Sequence, residues 1–153
     1  MRLWHQAIIP YLPRPQLLGQ NRECCALRGL GWGKKHSTVN YVFNEPYVNL
    51  FSYHMLIHFE MENRGYHPGQ LWKNPRYRGK RIPLSNWVPE NIPHFSKSIY
   101  EEHNDAYLSE CLQLLSIRMK QKSYLYSPKE WDILKGYSST LFNRGRIKIN
   151  YFL

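Results

Sequence analysis

Apolar positions recur at helical spacing in three stretches of the chain. From Pro15, which suits a first helical turn, Leu17, Leu18, Asn21, Cys24, Cys25 and Arg28 fall on one helical repeat, and Gly29, Gly31 and Gly33 end it. A second helix opens at Pro46. Leu50, Phe51, Met55, Phe59 and Met61 supply its apolar face, and Gly65 closes it. A third is expected from about Ile99 to Lys120, carried by Leu108, Cys111, Leu112, Leu115 and Met119. Glu101, Glu102 and Asp105 near its start and Arg118, Lys120 and Lys122 at its end complement the helix dipole. Ser127 followed by Pro128 reads as an N-cap and first position, and starts a shorter helix.

Between the second and third helices, Pro68, Pro75, Pro83, Pro89 and Pro93 forbid long regular structure. The closing RGRIKINYFL alternates enough for a short strand. The pattern therefore predicts an all-α fold: a single compact domain over residues 1–153, with three to four helices and a long proline-rich basic loop. That length buries a core without disulfide or metal staples.

Charge sharpens this picture. The chain carries a formal +10 at neutral pH, which points to an anionic partner, nucleic acid being the commonest for a compact basic domain. Two segments hold the excess. Residues 1–44 set Arg2, Arg14, Arg22, Arg28, Lys34 and Lys35 against the single acid Glu23, a net +5. Residues 63–89 add Arg64, Lys73, Arg76, Arg78, Lys80 and Arg81 with no acid, a net +6. The remainder sums to −1, so a defined footprint is favoured over general solubility.

Cys24, Cys25 and Cys111 form an odd, sparse set without CxxC motifs and read as reduced thiols. The opening MRLWHQAIIPYLPRP lacks the continuous apolar run of a signal peptide, and no stretch is apolar for long enough to span a membrane. A cytoplasmic monomer without a membrane partner is expected.

Glu23 stands out, because each carboxylate on a polyanion-binding surface repels the ligand. It serves either as a structural ion-pair partner of Arg22 or Arg28, or as a catalytic acid facing a nucleic-acid sugar. A glycosylase that leaves an aldehydic sugar needs a nucleophile near C1′, an acid, and cations for the flanking phosphates. A backbone α-amine suits the first role: its reference pKa of about 7.7–8.0 leaves a neutral fraction where lysine is almost wholly protonated. Attack at C1′ gives an imine, from which β-elimination nicks the strand.

Four pieces in order carry a family resemblance: Met1-Arg2, QLLGQNRE (Gln16–Glu23), FEMENRGY (Phe59–Tyr66) and NPRYRGKRIP (Asn74–Pro83). Over roughly residues 1–83 the chain resembles the phage-type pyrimidine-dimer DNA glycosylases of the endonuclease V class. The resemblance implies an all-helical enzyme that cuts the glycosidic bond at pyrimidine dimers in double-stranded damaged DNA and then acts as an AP lyase. It implies that Glu23 is the catalytic glutamate, Arg22 its phosphate-binding neighbour, and Arg2 the arginine following the terminal nucleophile. No cofactor or metal is implied.

Three positions depart from the family pattern. Arg2 is too large for the usual removal of Met1, so the Met1 α-amine would have to act where the family uses a threonine amine. Gln16 replaces the family's histidine. Ala26 stands where a further arginine is expected, with Arg28 as a possible substitute. The expected site therefore comprises Met1 and Glu23 for chemistry, and Arg2, Arg22, Arg28, Lys34, Lys35, His36, Arg76, Arg78, Lys80 and Arg81 for DNA.

Other constellations carry blander readings. His54 and His58 have a spacing able to bind zinc but lack the HExxH glutamate, and ordinary helix histidines explain them. GLGWGKK (Gly29–Lys35) fits a DNA-backbone loop better than a nucleotide pocket, since no Walker motif follows. Trp32, Trp72, Tyr77 and Trp87 could wedge into a base stack or simply pack a core. The alternative function is a non-catalytic basic DNA-binding module. A metal-dependent nuclease lacks a carboxylate cluster to support it.

Overall fold

The computed structural model describes residues 1–35, 39–86 and 98–153. All regular structure among them is helical: α1 (Arg14–Arg28), α2 (Tyr41–Asn44), α3 (Tyr47–Asn63), α4 (Asp105–Gln121) and α5 (Pro128–Asn143). Short 3-10 turns occupy Gln6–Tyr11, Gln70–Lys73 and Ser123–Leu125. The all-α expectation is met. Of the proline-rich loop, residues 87–95, with Trp87, lie outside the described residues, as does His36.

The chain divides into two compact units, Met1–Leu3 with Leu18–Tyr100, and Trp4–Leu17 with Glu101–Leu153. In the first, α1 buries Gln20, Cys24, Leu27 and Arg28, so two polar residues stand in its apolar stripe. The close of α1 depends on Gly31. A Cβ there would lie 2.6 Å from the Ala26 carbonyl oxygen, which accepts the Gly31 N–H at 2.8 Å. Pro46 caps α3 as expected, but the buried face differs from the predicted one. It runs through Tyr47, Leu50, Phe51, His54, Ile57, His58 and Met61, at helical three- and four-residue spacing. Phe59 is 64% exposed and Met55 only half-buried, because the two histidines take the inward positions.

In the second unit, α4 starts at Asp105 rather than near Ile99. The Asn104 side chain accepts the Tyr107 N–H at 2.9 Å, and that cap fixes the boundary; Glu101 and Glu102 fall outside the first turn. Ser127 and Glu130 form a capping box at the start of α5, which at 16 residues is not the shorter helix expected. Glu130 also accepts the backbone N–H of Arg14 at 2.8 Å, so one carboxylate serves the starts of two helices.

The expected C-terminal strand is absent. Residues 144–153 turn instead, with Gly145 at φ +73° and Ile147 and Phe152 buried as separate anchors. A lone alternating segment has no ladder to join, and an isolated strand leaves its backbone groups unpaired. No helix among the described residues is long and apolar enough to cross a membrane.

His5 and His103 stack with ring centroids 5.3 Å apart in this unit. The Nδ1 of each accepts a backbone N–H at 3.0 Å, from Ala7 and Gln6 respectively. Burial pushes their pKa values down to about 4 and about 3, with mutual repulsion adding to the fall at His103. Both rings are neutral when folded, whereas an unfolded chain protonates them below about pH 6.5. Their stabilising contribution is thus complete above that pH and drains away as pH falls toward 4 and 3. Urea midpoints measured from pH 7 down to 4 should decline through this window. A His103→Gln variant should be weaker at neutral pH, with a flatter acid limb.

Candidate functional site

The first unit brings the chain start against α1. The Arg2 backbone N–H donates to the Glu23 carboxylate, and the positive Met1 α-amine acts on it electrostatically. Gln20, one turn earlier on α1 and buried, donates through Nε2 to Glu23 Oε2 and to the Arg2 carbonyl, each at 2.9 Å. Tyr53 of α3 donates its hydroxyl to Gln20 Oε1, also at 2.9 Å. One amide thus ties the chain start, the acid and α3 together.

Burial raises the Glu23 carboxyl above its ordinary range. The Met1 α-amine, the Arg2 N–H, Arg22 and Gln20 pull in the opposite direction without cancelling it. Such a carboxyl holds or releases a proton nearer neutrality than an exposed one does. Arg22 lies exposed beside it, its guanidinium 3.7 Å from where a side chain on Gly19 would begin.

A cleft of about 600 Å³ opens at Met1. Lys34, Arg78, Lys80 and Arg81 line it together with the apolar faces of Leu30 and Trp72. Five of the residues expected at the site therefore share one concavity: Met1, Lys34, Arg78, Lys80 and Arg81. Gly79 makes the turn between Arg78 and Lys80 at φ +105°, over the Trp72 ring. Lys35 is exposed and outside this lining. Arg76 is half-buried and braces the loop: its Nε donates to the Ser85 carbonyl at 2.8 Å, and its own carbonyl accepts the Ser85 N–H at 2.9 Å.

Arg28 requires a correction. Expected on the DNA-facing surface, it is wholly buried. Nε donates to Tyr47 Oη at 2.9 Å, and one terminal nitrogen to His54 Nδ1 and the Trp72 carbonyl, both at 2.8 Å. The other terminal nitrogen donates to the carbonyls of Asn74 at 3.1 Å and Tyr77 at 3.2 Å. A guanidinium has five N–H donors, so none remains for a phosphate. Phe51 and Trp72 present their rings to the guanidinium carbon at 5.1 and 4.9 Å. The Arg28 carbonyl in turn accepts from Arg78 Nε, and the Arg78 guanidinium rests 4.2 Å from the Tyr47 ring centroid. Arg28 thus ties the Trp72–Tyr77 backbone to α1 and α3 and presents no exposed guanidinium.

His54 is neutral, its pKa driven well below the usual histidine value by burial and by Arg28 and His58. Its Nδ1 accepts from Arg28, and its Nε2 therefore donates to Asn21 Oδ1 at 2.8 Å. Both nitrogens are committed. Cys25 also lines the cleft, and burial raises its thiol to about 11, so it is not a ready nucleophile. Gln16, at the position of the family's histidine, donates to Tyr126 Oη at 2.6 Å.

The first 74 residues, which carry α1, α3 and the Glu23 cluster, match a family model. That family is the pyrimidine dimer DNA glycosylases. Over this span the chain is similar to it. The match supports a DNA-repair glycosylase acting on damaged DNA, and it ends before Arg76–Arg81. Neither the curated proteins nor the solved structures yield a match.

Gln20 and Tyr53 carry no motif, and the bonds of Asn21 and His54 arise only from packing. Their signal was polar residues at helical spacing inside apolar stripes, which otherwise call for hydrocarbon. The spacing of His54 and His58 is one that zinc sites use, whereas the structure makes His54 the acceptor for Arg28.

Two substitutions follow from this geometry. Arg28→Met leaves the Trp72, Asn74 and Tyr77 carbonyls without their donor, at about 1–3 kcal/mol for each group left unsatisfied. Arg28→Lys restores the charge but offers one nitrogen with three donors, so its urea midpoint should fall nearly as far. Full stability in the lysine variant would mean that charge, not the fork geometry, holds the loop. At Glu23 the folded state favours the protonated carboxyl, so its stabilising effect is lost as pH rises through the raised pKa. Glu23→Gln should consequently match or exceed the parent melting temperature at pH 7, and a lower value would contradict this sign.

Proposed function

We propose that this chain is a DNA glycosylase with AP-lyase activity, which excises pyrimidine dimers or a related lesion through an imine on the Met1 α-amine. One observation carries the reading: the chain start and the lone acid of a basic segment lie together, joined through the Arg2 N–H and the Gln20 amide. The family-model match over residues 1–74 supports the glycosylase step. The cleft lined by Lys34, Arg78, Lys80 and Arg81 supports a phosphate backbone as its occupant.

The Met1 nitrogen lone pair attacks C1′ of the damaged nucleoside, and the glycosidic bond breaks with its electron pair leaving on the base. The nitrogen gives up one proton to the departing base anion, and Glu23 passes its own proton to O4′ as the C1′–O4′ bond opens and the nitrogen lone pair completes the C=N bond. The Glu23 carboxylate, now without its proton, takes one from C2′; the freed pair forms the C2′–C3′ double bond as the 3′ phosphate leaves, and hydrolysis of the imine frees the amine. Arg22 and the cleft cations offset the charge on the flanking phosphates. Extruding a nucleotide costs a few kcal/mol, less at a lesion that already weakens stacking.

Borohydride converts such an imine to a stable secondary amine. Incubation with duplex DNA bearing one cyclobutane dimer should give a covalent one-to-one complex, and peptide mass mapping should place the adduct on Met1. Intact mass should show Met1 retained with a free amine. Glu23→Gln should abolish nicking with modest loss of binding. Binding without any adduct would leave a basic DNA-binding module, and unchanged nicking by Glu23→Gln would remove the acid from its assigned role.

A further inference from the structure

The buried amide of Gln20 lies outside the expected site, yet its geometry bears on both reacting groups. It is 1% exposed, it stands in an otherwise apolar stripe, and each of its polar atoms is used. Its orientation is not arbitrary. The Tyr53 hydroxyl donates to Oε1, and Nε2 faces two acceptors: the carbonyl of the residue after Met1 and one oxygen of Glu23. A flipped amide would set Oε1 against both acceptors, so these fix its orientation, and the Tyr53 hydroxyl holds the remaining oxygen in place.

We infer that Gln20, held in place by Tyr53, is a positioning residue for the proposed glycosylase reaction, holding the terminal amine and the Glu23 carboxyl at a fixed separation. The inference rests on the imine reading above. Gln20 touches no reacting atom of the nucleic acid. It acts on the backbone that carries the nucleophile and on one oxygen of the Glu23 carboxyl. A misplacement of 1 Å between reacting groups costs about a hundredfold in rate. The amide also donates to the ionised form of Glu23, along with the Arg2 N–H. The Met1 α-amine, Arg22 and the Cys24 thiol complete the charged and titratable groups that act on this carboxyl. Removing the amide takes away one stabiliser of the anion, so Glu23 should hold its proton to higher pH.

The test compares Gln20→Met, which keeps the length and loses the polar atoms, with Tyr53→Phe, which keeps the ring and loses the hydroxyl that holds the amide. Single-turnover excision and borohydride trapping are followed against pH on dimer-containing duplex, with binding measured separately and urea midpoints checking the fold. Gln20→Met should bind DNA within about twofold of the parent while excision falls about a hundredfold. The limb of its rate profile set by Glu23 should move to higher pH. Tyr53→Phe should shift the same limb in the same direction by less.

If the parent traps and either folded variant keeps both the parental rate and the parental pH profile, the positioning role is overturned while the imine reading stands. If Gln20→Met does not fold, Tyr53→Phe decides alone by the same criterion. If the parent forms no adduct at Met1, the imine reading falls and this inference falls with it.

Discussion

A buried guanidinium organises the first unit. Removing an ion from water is costly, and an isolated buried charge survives only when its donors are met in full. Arg28 meets this condition without a carboxylate among its bonded partners: three backbone carbonyls, a phenol and a neutral imidazole take its five N–H groups, and two aromatic rings flank it. The constraint propagates outward. His54 must remain neutral, Asn21 must accept its proton, and Trp72 through Tyr77 must present their carbonyls inward. An irregular segment of the chain is thereby given a fixed path.

The second organising contact is smaller and closer to chemistry. Around Glu23 two effects oppose each other. Burial favours the neutral acid, while two cations and two hydrogen-bond donors favour the anion. The balance still lies on the side of the acid. A carboxylate simply paired to Arg22 or Arg28 would be shifted the other way, and Arg28 is occupied elsewhere. The ion-pair explanation of Glu23 therefore loses one of its two partners.

Much of the fold was legible because its helices announce themselves through local chemistry. Pro15, Pro46 and the Ser127-Pro128 pair mark starts, and glycines mark ends; the observed boundaries follow them closely. The errors have physical causes. The pattern with its acids at 101 and 102 suggests a start for α4 near Ile99, while the Asn104 side chain sets it at Asp105. Phe59 and Met55 were assigned inward by hydropathy, yet the inward positions belong to His54 and His58. The latter follow from Arg28, whose burial no local pattern states. The site divides in the same way. Glu23 and the cleft cations stand out in the sequence by charge alone, and the structure sets Lys34, Arg78, Lys80 and Arg81 around one cleft. Arg28 was misread for the same reason: sequence records a positive residue, but tertiary packing decides whether water reaches it. Gln20 and Tyr53 bear no charge at all, and only three-dimensional adjacency gives them meaning.

The loop from Asn74 to Ser85 is fastened at both feet. Arg78 donates to the last carbonyl of α1, and Arg76 closes a reciprocal pair with Ser85. Lys80 and Arg81 thus project from a turn whose backbone path is already set before any ligand arrives. A polyanion laid across it would have little conformational entropy left to extract from the protein. The spacing of its phosphates, rather than the pliancy of the loop, would govern how well the two surfaces register.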